Sequence, residues 1–183
     1  MTNEPIIAGT YSGKIIDLTQ LTTNDIVLTD IAHHLAMTCR YTGQCNIFYS
    51  VAEHSVRMSN MSDMFPFPAE LLMHDAAEAY IGDLNPGFKR AFDIRPFEER
   101  IQDIIANRFG LWADKMRGPD LKVIDEIIAR TEIRDLLNWK QSEAYYLKMT
   151  PENHPLAERI EPWNWEEAEM CFMARAAGLG IKD

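Results

Sequence analysis

The sequence predicts a single all-α domain preceded by a short β-hairpin or an extended arm. After residue 50 no segment alternates polar and apolar residues with the period of two that is typical of a strand. Apolar residues instead recur at spacings of three and four, between capping residues and glycines. A chain of 183 residues is long enough for one domain with a real core. We place that core over about residues 29–140 and a helical extension over 141–183.

The first 28 residues carry the hairpin or arm, because β-type residues in KIIDL and DIVL stand among glycines and threonines. From Thr29 the pattern turns helical, with spacings of three and four that start at Ile31. Asp30 adds a favourable negative charge to the first turn of this helix. Gly43 ends the element, and QCNIFY is predicted as a loop or short strand.

Two helices are predicted between Ser50 and Gly82. Ser50 and Glu53 can form a capping box, in which each side chain satisfies an orphan amide of the first turn. The helix that they open carries His54. Pro68 opens the next helix, since proline lacks only a donor that is idle there. The strong helix formers of AELLMHDAAEAYI extend that helix to Gly82, and GDLNPGFKR is predicted as a loop.

Three amphipathic helices complete the chain. The segment FEERIQDIIANRFG predicts a helix that ends at Gly110. The segment LKVIDEIIARTEIRDLLNW predicts a long helix capped by Asp120. Asn164 and Glu167 then cap a last helix that ends at Gly178.

The composition excludes several classes of partner. A formal net charge of −10 argues against binding a nucleic acid polymer, although it permits a small phosphorylated substrate. No apolar stretch approaches the roughly 20 residues that span a bilayer, so no membrane partner is expected. Three scattered cysteines are too few for a disulfide framework. We read them as reduced thiols of a cytoplasmic protein.

Histidine and carboxylate residues crowd one short segment of the chain. They are His74, Asp75, Glu78 and Asp83. Burying such groups is costly unless a positive charge lies between them. Imidazole and carboxylate suit a divalent first-row metal ion, and His54 and Asp125 are the best placed further ligands because each lies on a separate predicted helix among apolar residues. A salt-bridge network would use the same residues, and spacing alone does not choose between the two.

The order His54, His74-Asp75, Asp125 resembles the H…HD…D signature of the HD-domain metal-dependent phosphohydrolases. The blocks DIAHHLAMTCRYTG, YSVAEHSV, LLMHDAAEAYIGDLNPGFK and VIDEIIARTEIRDLL are similar to successive blocks of the bacterial and phage branch related to 5′-deoxynucleotidases. The resemblance implies an all-α HD-domain bundle. It also implies one divalent ion (Mn, Co, Zn or Mg) held by these four side chains.

The same resemblance implies roles for five further residues. Glu78 matches the catalytic carboxylate near the attacking water, and Asp83 matches an acidic residue that positions the water or the leaving group. Arg40 matches an arginine that binds the substrate phosphate. Tyr41 takes the place of an aromatic residue beside the sugar or base. Lys89 matches the lysine at the end of the block LLMHDAAEAYIGDLNPGFK.

Two departures from the family pattern concern the substrate. Tyr41 stands where characterised 5′-deoxynucleotidases have tryptophan, and the NPGFK turn at 85–89 lacks the second proline of their Pro-x-Pro-x-Lys turn. Both departures concern which nucleotide is bound. The resemblance as a whole implies hydrolysis of a (deoxy)nucleoside 5′-phosphate to nucleoside and phosphate. It also leads us to expect a homodimer.

Three other functions stay open at this point. A dNTP (dATP) triphosphohydrolase has the same fold and signature, and a nucleotide-binding sensor would keep the site without the chemistry. A cyclic-nucleotide phosphodiesterase is the weakest alternative. Two-metal members of that class usually have further histidines after the HD pair, and this chain has only His154.

Overall fold

The computed structural model describes residues 4–138 and 152–183. Within these residues the chain is a bundle of α-helices with one two-stranded antiparallel hairpin near its N-terminus. This architecture confirms the predicted all-α fold with a short hairpin. None of the described helices is both long and apolar enough to cross a bilayer. The predicted boundary between core and extension, at 140 and 141, lies outside the described residues.

The elements follow one another in this order along the chain. The strands are β1 (Ile7–Gly9) and β2 (Ile15–Asp17). The helices are α1 (Leu28–Met37), α2 (Val51–Ser59), α3 (Pro68–Met73), α4 (Glu78–Ile81), α5 (Pro86–Ala91), α6 (Arg95–Phe109), α7 (Pro119–Leu136) and α8 (Trp165–Gly178). Short 3₁₀ turns lie at Thr23–Asp25, Arg40–Gly43 and Lys115–Arg117.

The turn of the hairpin is fixed to α1 by polar side chains. The backbone N–H and the hydroxyl of Ser12 donate to the buried Asp30 carboxylate at 2.6 and 2.8 Å. His34 Nε2 accepts from the Tyr11 N–H at 3.1 Å, and its Nδ1 donates to the Ala79 carbonyl at 2.8 Å. The hairpin is therefore tied through α1 to α4.

Helix α2 lies at the centre of the bundle, where it packs against α1, α3, α7 and α8. Its N-terminus is capped as predicted, since the Ser50 side chain accepts from the Glu53 N–H at 3.0 Å. The reciprocal half of the capping box is absent, because the Glu53 carboxylate accepts from Arg57 and from the Trp163 N–H instead. This central position leaves His54 with no exposed surface.

The C-terminal helix α8 belongs to the same core. Ala168, Phe172 and Ala176 are fully buried against the bundle. At the end of α2, the Arg175 guanidinium donates to the hydroxyl and the carbonyl of Ser59 at 2.8 and 2.6 Å. Helix α8 therefore buries its apolar face within its own chain, and the homodimer stays a prediction.

The glycine ends of later helices were predicted correctly, whereas the first helix ends at Met37 rather than at the predicted Gly43 because Thr38 leaves the helical conformation. Two helix beginnings were also not predicted. Gly82 and Gly110 end α4 and α6 with positive φ values of 79° and 68°, which glycine adopts at no steric cost. The predicted loop after Gly82 contains α5, because the Asn85 side chain caps it by accepting from the Gly87 N–H at 2.7 Å. The cap of α7 is Gly118 rather than Asp120, which lies inside the first turn.

Removing the Phe172 side chain tests the packing of α8. We expect Phe172→Ala to lower the free energy of unfolding by about 3–5 kcal/mol, since the ring fills buried space that cannot fully collapse. Met170 lies on the same helix with 64% of its surface exposed. The control Met170→Ala should change the stability by less than about 0.5 kcal/mol in urea titrations followed by circular dichroism. Equal effects of the two substitutions would contradict this packing.

Candidate metal centre

All four side chains predicted as metal ligands converge at one point. His54 Nε2 lies 3.3 Å from His74 Nε2 and 3.5 Å from Asp125 Oδ1. Asp75 Oδ2 lies 3.1 Å from His74 Nε2 and 3.7 Å from His54 Nε2. The ligand atoms of His54, His74 and Asp125 all lie within 4.8 Å of one another, so this group could hold a metal ion.

Three parts of the fold supply the four side chains. His54 comes from α2, His74 and Asp75 from the turn between α3 and α4, and Asp125 from α7. The two imidazoles are almost wholly buried, whereas 41% of the Asp125 side chain is exposed. The cluster is therefore closed on the imidazole side and open beside Asp125.

Both imidazoles use their Nδ1 atoms elsewhere. His54 Nδ1 lies 2.7 Å from Glu132 Oε1, and His74 Nδ1 lies 2.8 Å from the Leu71 carbonyl oxygen. A carboxylate or a carbonyl only accepts, so each Nδ1 carries a proton and a ring that carries no second proton presents the lone pair of Nε2 to the cluster. Two imidazole Nε2 atoms and two carboxylates thus face one another. This donor set fits a divalent cation, and without a cation it is electrostatically unfavourable.

The field of the cluster favours positive charge. Burial works against a charged imidazole at His74, yet the Asp75 carboxylate raises the pKa of His74 to about 9. Either a proton on His74 or a metal ion between the ligands can neutralise the same excess of hydrogen-bond acceptors. We therefore expect proton binding and metal binding to compete.

Glu132 supports the centre, and it is the residue that sequence reasoning missed. Its carboxylate is fully buried and accepts from His54 Nδ1, from Arg40 Nε at 3.2 Å and from the Tyr41 hydroxyl at 2.6 Å. Burial would raise the pKa of Glu132, but Arg40 and His54 lower it to about 2. The sequence did contain a signal that could have identified Glu132. It follows Asp125 by seven residues, and two helical turns place both residues on one face of α7.

The helix predicted as continuous through AELLMHDAAEAYI is broken at the HD pair. Helix α3 ends at Met73 and α4 begins at Glu78, with a turn between them. Inside the turn the Ala76 N–H donates to the Met73 carbonyl at 3.1 Å, and the Glu78 N–H donates to the Asp75 carbonyl at 2.9 Å. These are i→i+3 bonds, so the prediction of one continuous α-helix through the HD pair is wrong.

The buried side chain of Gln102 explains the break. From α6, Gln102 Nε2 donates to the Met73 carbonyl at 2.7 Å, and its Oε1 accepts from the Ala77 N–H at 3.0 Å. In a continuous α-helix that carbonyl and that N–H would bond to each other. A side chain that inserts into the backbone ladder is an established cause of a helix break. Gln102 therefore positions His74 and Asp75 without touching the cluster.

A cleft opens beside Asp125, and we call it the Arg40 cleft. Its lining includes Arg40, Tyr41, Thr42, Asp83, Asn85 and Asp125. Arg40 Nη1 donates to Asp75 Oδ2 at 3.3 Å. Tyr41 and Thr42, which also line the cleft, have positive φ values of 56° and 53°. The Thr42 hydroxyl donates to the Asp83 carbonyl at 3.2 Å and so joins two walls. Arg40, Tyr41 and Asp83 therefore line one cleft beside Asp125, and the roles predicted for them stay predictions.

Glu78 and Lys89 form an ion-paired group next to the centre. Lys89 Nζ donates to Glu78 Oε1 at 3.0 Å and to Glu98 Oε1 at 2.5 Å. The Lys89 side chain is thus bound to two carboxylates and is not part of the Arg40 cleft lining. Glu78 Oε2 is buried without a hydrogen-bond partner among the described residues. Burial, and then the Asp75 charge, raise the pKa of Glu78 well above its usual range.

Two relatives place the chain in a family. It is 39% identical over 128 residues to the uncharacterized protein YfdR of Escherichia coli (strain K12), an alignment that covers 69% of this chain and 70% of YfdR. It is 33% identical over 180 residues to the uncharacterized protein RCAP_rcc00048 of Rhodobacter capsulatus, with 90% of each chain covered. No family model matches the sequence. The chain belongs to the protein family that includes YfdR and this R. capsulatus protein.

Replacing Gln102 tests its role in the HD turn. Gln102→Met keeps the length of the side chain and removes both hydrogen bonds, so the buried Ala77 N–H loses its partner and the Met73 carbonyl keeps the Ala76 N–H as a donor. We expect a loss of about 1–3 kcal/mol in the free energy of unfolding and weaker binding of added Mn²⁺, because the turn relaxes toward a continuous helix. The control is Gln20→Met at an exposed position. Unaltered Mn²⁺ binding by Gln102→Met in calorimetry would contradict the positioning role.

Proposed function

We propose that the chain is a metal-dependent phosphohydrolase of the HD-domain type that acts on (deoxy)nucleoside 5′-phosphates. A 5′-deoxynucleotidase, which releases nucleoside and phosphate, is the reading we favour. The observation that carries the proposal is the convergence of two imidazole lone pairs and two carboxylates next to an arginine that borders an open cleft. A divalent ion held by these ligands would supply Lewis-acid activation of a water molecule and of a phosphate oxygen.

Arg40 is well suited to bind the scissile phosphate. Its guanidinium is held by Glu132 at Nε and by Asp75 at Nη1, which fixes its plane at the border of the Arg40 cleft. A planar guanidinium offers two parallel donors to phosphate oxygens. The Tyr41 ring lines the same cleft while its hydroxyl is bound to Glu132, so the ring is a fixed surface for the sugar or base.

Glu78 is the best candidate for proton transfer. Burial and the Asp75 charge raise the pKa of Glu78, which favours its protonated form, and a protonated carboxyl can donate its proton to the departing 5′ oxygen. Lys89 holds one oxygen of Glu78 and leaves the other without a partner among the described residues. We assign Lys89 to positioning this carboxyl rather than to binding phosphate. Asp83 lies in the lining of the Arg40 cleft, where it can orient water.

Substitution of Glu78 tests the proton-transfer role. Glu78→Gln keeps the shape of the side chain and removes the acid, so we expect phosphate release from dAMP and other nucleoside monophosphates to fall by about 10²–10⁴-fold in kcat. The matched control is Glu166→Gln at an exposed carboxylate, which should keep full activity. Assays with Mn²⁺, Co²⁺, Mg²⁺ and Zn²⁺ in turn identify the ion that supports turnover.

Two outcomes would contradict the proposal. Folded Asp75→Asn protein with unchanged turnover would exclude this mechanism, since Asp75 is both a ligand and an Arg40 partner. Wild-type protein that binds nucleotide and yields no product with any of the four ions would favour the nucleotide sensor instead.

A further inference from the structure

We propose that Cys39 and Cys45 form a reversible disulfide that controls the Arg40 turn, the segment Arg40–Gly43 that lies between them. The oxidant is a low-molecular-weight disulfide such as oxidised glutathione. The effect on catalysis rests on the proposed function, whereas the formation of the disulfide does not. Neither cysteine is a candidate metal ligand, so the pair is a separate site of modification.

The two thiols lie together although the chain places five residues between them. A side-chain hydrogen bond joins Cys39 to Cys45, and the Cys45 thiol donates to the Arg40 carbonyl at 3.6 Å. Both cysteines are only partly buried, so a small oxidant can reach them. The third cysteine, Cys171, lies on α8 and serves as an internal control.

The segment that carries the pair is anchored at both ends to helices of the metal centre. Cys39 forms an isolated antiparallel bridge with Ser50, the cap of α2. Next to Cys45, the Asn46 N–H donates to the carbonyl of Leu136 at the end of α7, at 2.8 Å. Because both ends are held, the backbone between the cysteines has to take up any change that a new bond imposes.

The Arg40 turn has little freedom to absorb such a change. Tyr41, Thr42 and Gly43 are consecutive residues with positive φ values of 56°, 53° and 78°. Glycine adopts this region without steric cost, whereas Tyr41 and Thr42 hold a strained conformation that their surroundings maintain. A disulfide requires the two sulfur atoms to approach to covalent distance, and it removes the hydrogen that Cys45 donates to the Arg40 carbonyl. Oxidation therefore shifts the backbone that carries Arg40.

A shift of this backbone acts on the arginine that we assign to the phosphate. The Arg40 guanidinium is oriented by hydrogen bonds of 3.2 Å to Glu132 and 3.3 Å to Asp75. Both distances are already at the long end of the range for such bonds, so a further displacement weakens them steeply. We therefore expect the oxidised protein to bind phosphate less tightly in the Arg40 cleft.

The reaction balances with a disulfide as the oxidant. The Cys39 thiolate attacks one sulfur of oxidised glutathione, which gives a mixed disulfide and releases one glutathione thiolate. The Cys45 sulfur then attacks Cys39 Sγ, so the intramolecular bond forms and the second glutathione leaves. The two cysteine protons end on the two glutathione thiols. Burial raises the pKa of Cys45 to about 12, which makes it the weaker nucleophile at neutral pH, so we assign the first attack to Cys39.

The first test detects the disulfide itself. Folded wild-type protein is incubated with oxidised glutathione, alkylated and digested, and its peptides are identified by mass spectrometry. We expect a linkage between Cys39 and Cys45, and the same linkage in the matched control Cys171→Ser. Cys39→Ser should form no linkage. A wild-type protein that keeps its thiols free, or that links Cys171 instead, would overturn the proposal.

The second test measures the consequence for Arg40. In calorimetry, oxidised wild-type protein should bind orthophosphate about tenfold more weakly than reduced protein, the loss expected for one hydrogen bond to a charged group. Dithiothreitol should restore the binding, and kcat/KM for dAMP should follow it. Cys39→Ser treated in the same way should show one affinity throughout. Equal affinity of the oxidised and reduced wild-type protein would refute the control of Arg40.

The disulfide and the phosphohydrolase fail separately. Protein that hydrolyses dAMP, yet forms no bond between Cys39 and Cys45, refutes the disulfide and keeps the phosphohydrolase. Protein that forms the bond, yet hydrolyses no nucleotide in either state, refutes the phosphohydrolase and keeps the disulfide.

Discussion

The candidate metal centre depends on the hydrogen bonds that two histidines make through their Nδ1 atoms. His54 and His74 each donate from Nδ1 to an oxygen that can only accept, so their two Nε2 atoms meet at 3.3 Å beside two carboxylates. A protein can tolerate such a concentration of acceptors in a buried place only with a positive charge among them. The burial of α2 and the Glu132 carboxylate on α7 both serve to keep that arrangement in place.

The HD pair is held by an interruption of helical structure. Gln102 takes both the carbonyl of Met73 and the N–H of Ala77, and the backbone between them turns with i→i+3 bonds. The same turn places His74 and Asp75 in the lining of a second cleft, together with Arg95, Glu98 and Lys122. The Gln102 side chain from α6 thus fixes the turn that carries His74 and Asp75, and it lines the same second cleft.

Local sequence was sufficient for some features and insufficient for others. The Ser50 cap and the glycine ends at Gly82 and Gly110 depend on residues within a turn of the helix end, so they could be predicted. The four candidate ligands were identified because their order resembles a known signature. The break after Met73 could not be predicted, since AELLMHDAAEAYI consists of helix formers and its interruption depends on Gln102, 29 residues further on. The pairing of Lys89 with Glu98 likewise depends on how α5 meets α6.

The stoichiometry of metal binding tests the central claim most directly. Dialysed protein titrated with Mn²⁺ or Co²⁺ in a calorimeter should bind one ion per chain. Asp125→Asn should lose that binding while its circular dichroism spectrum is unchanged, because Asp125 is the most exposed of the four ligands and its replacement leaves the buried imidazoles in place. A wild-type protein that binds no divalent ion, or an Asp125→Asn variant that binds it with the same affinity, would contradict the account.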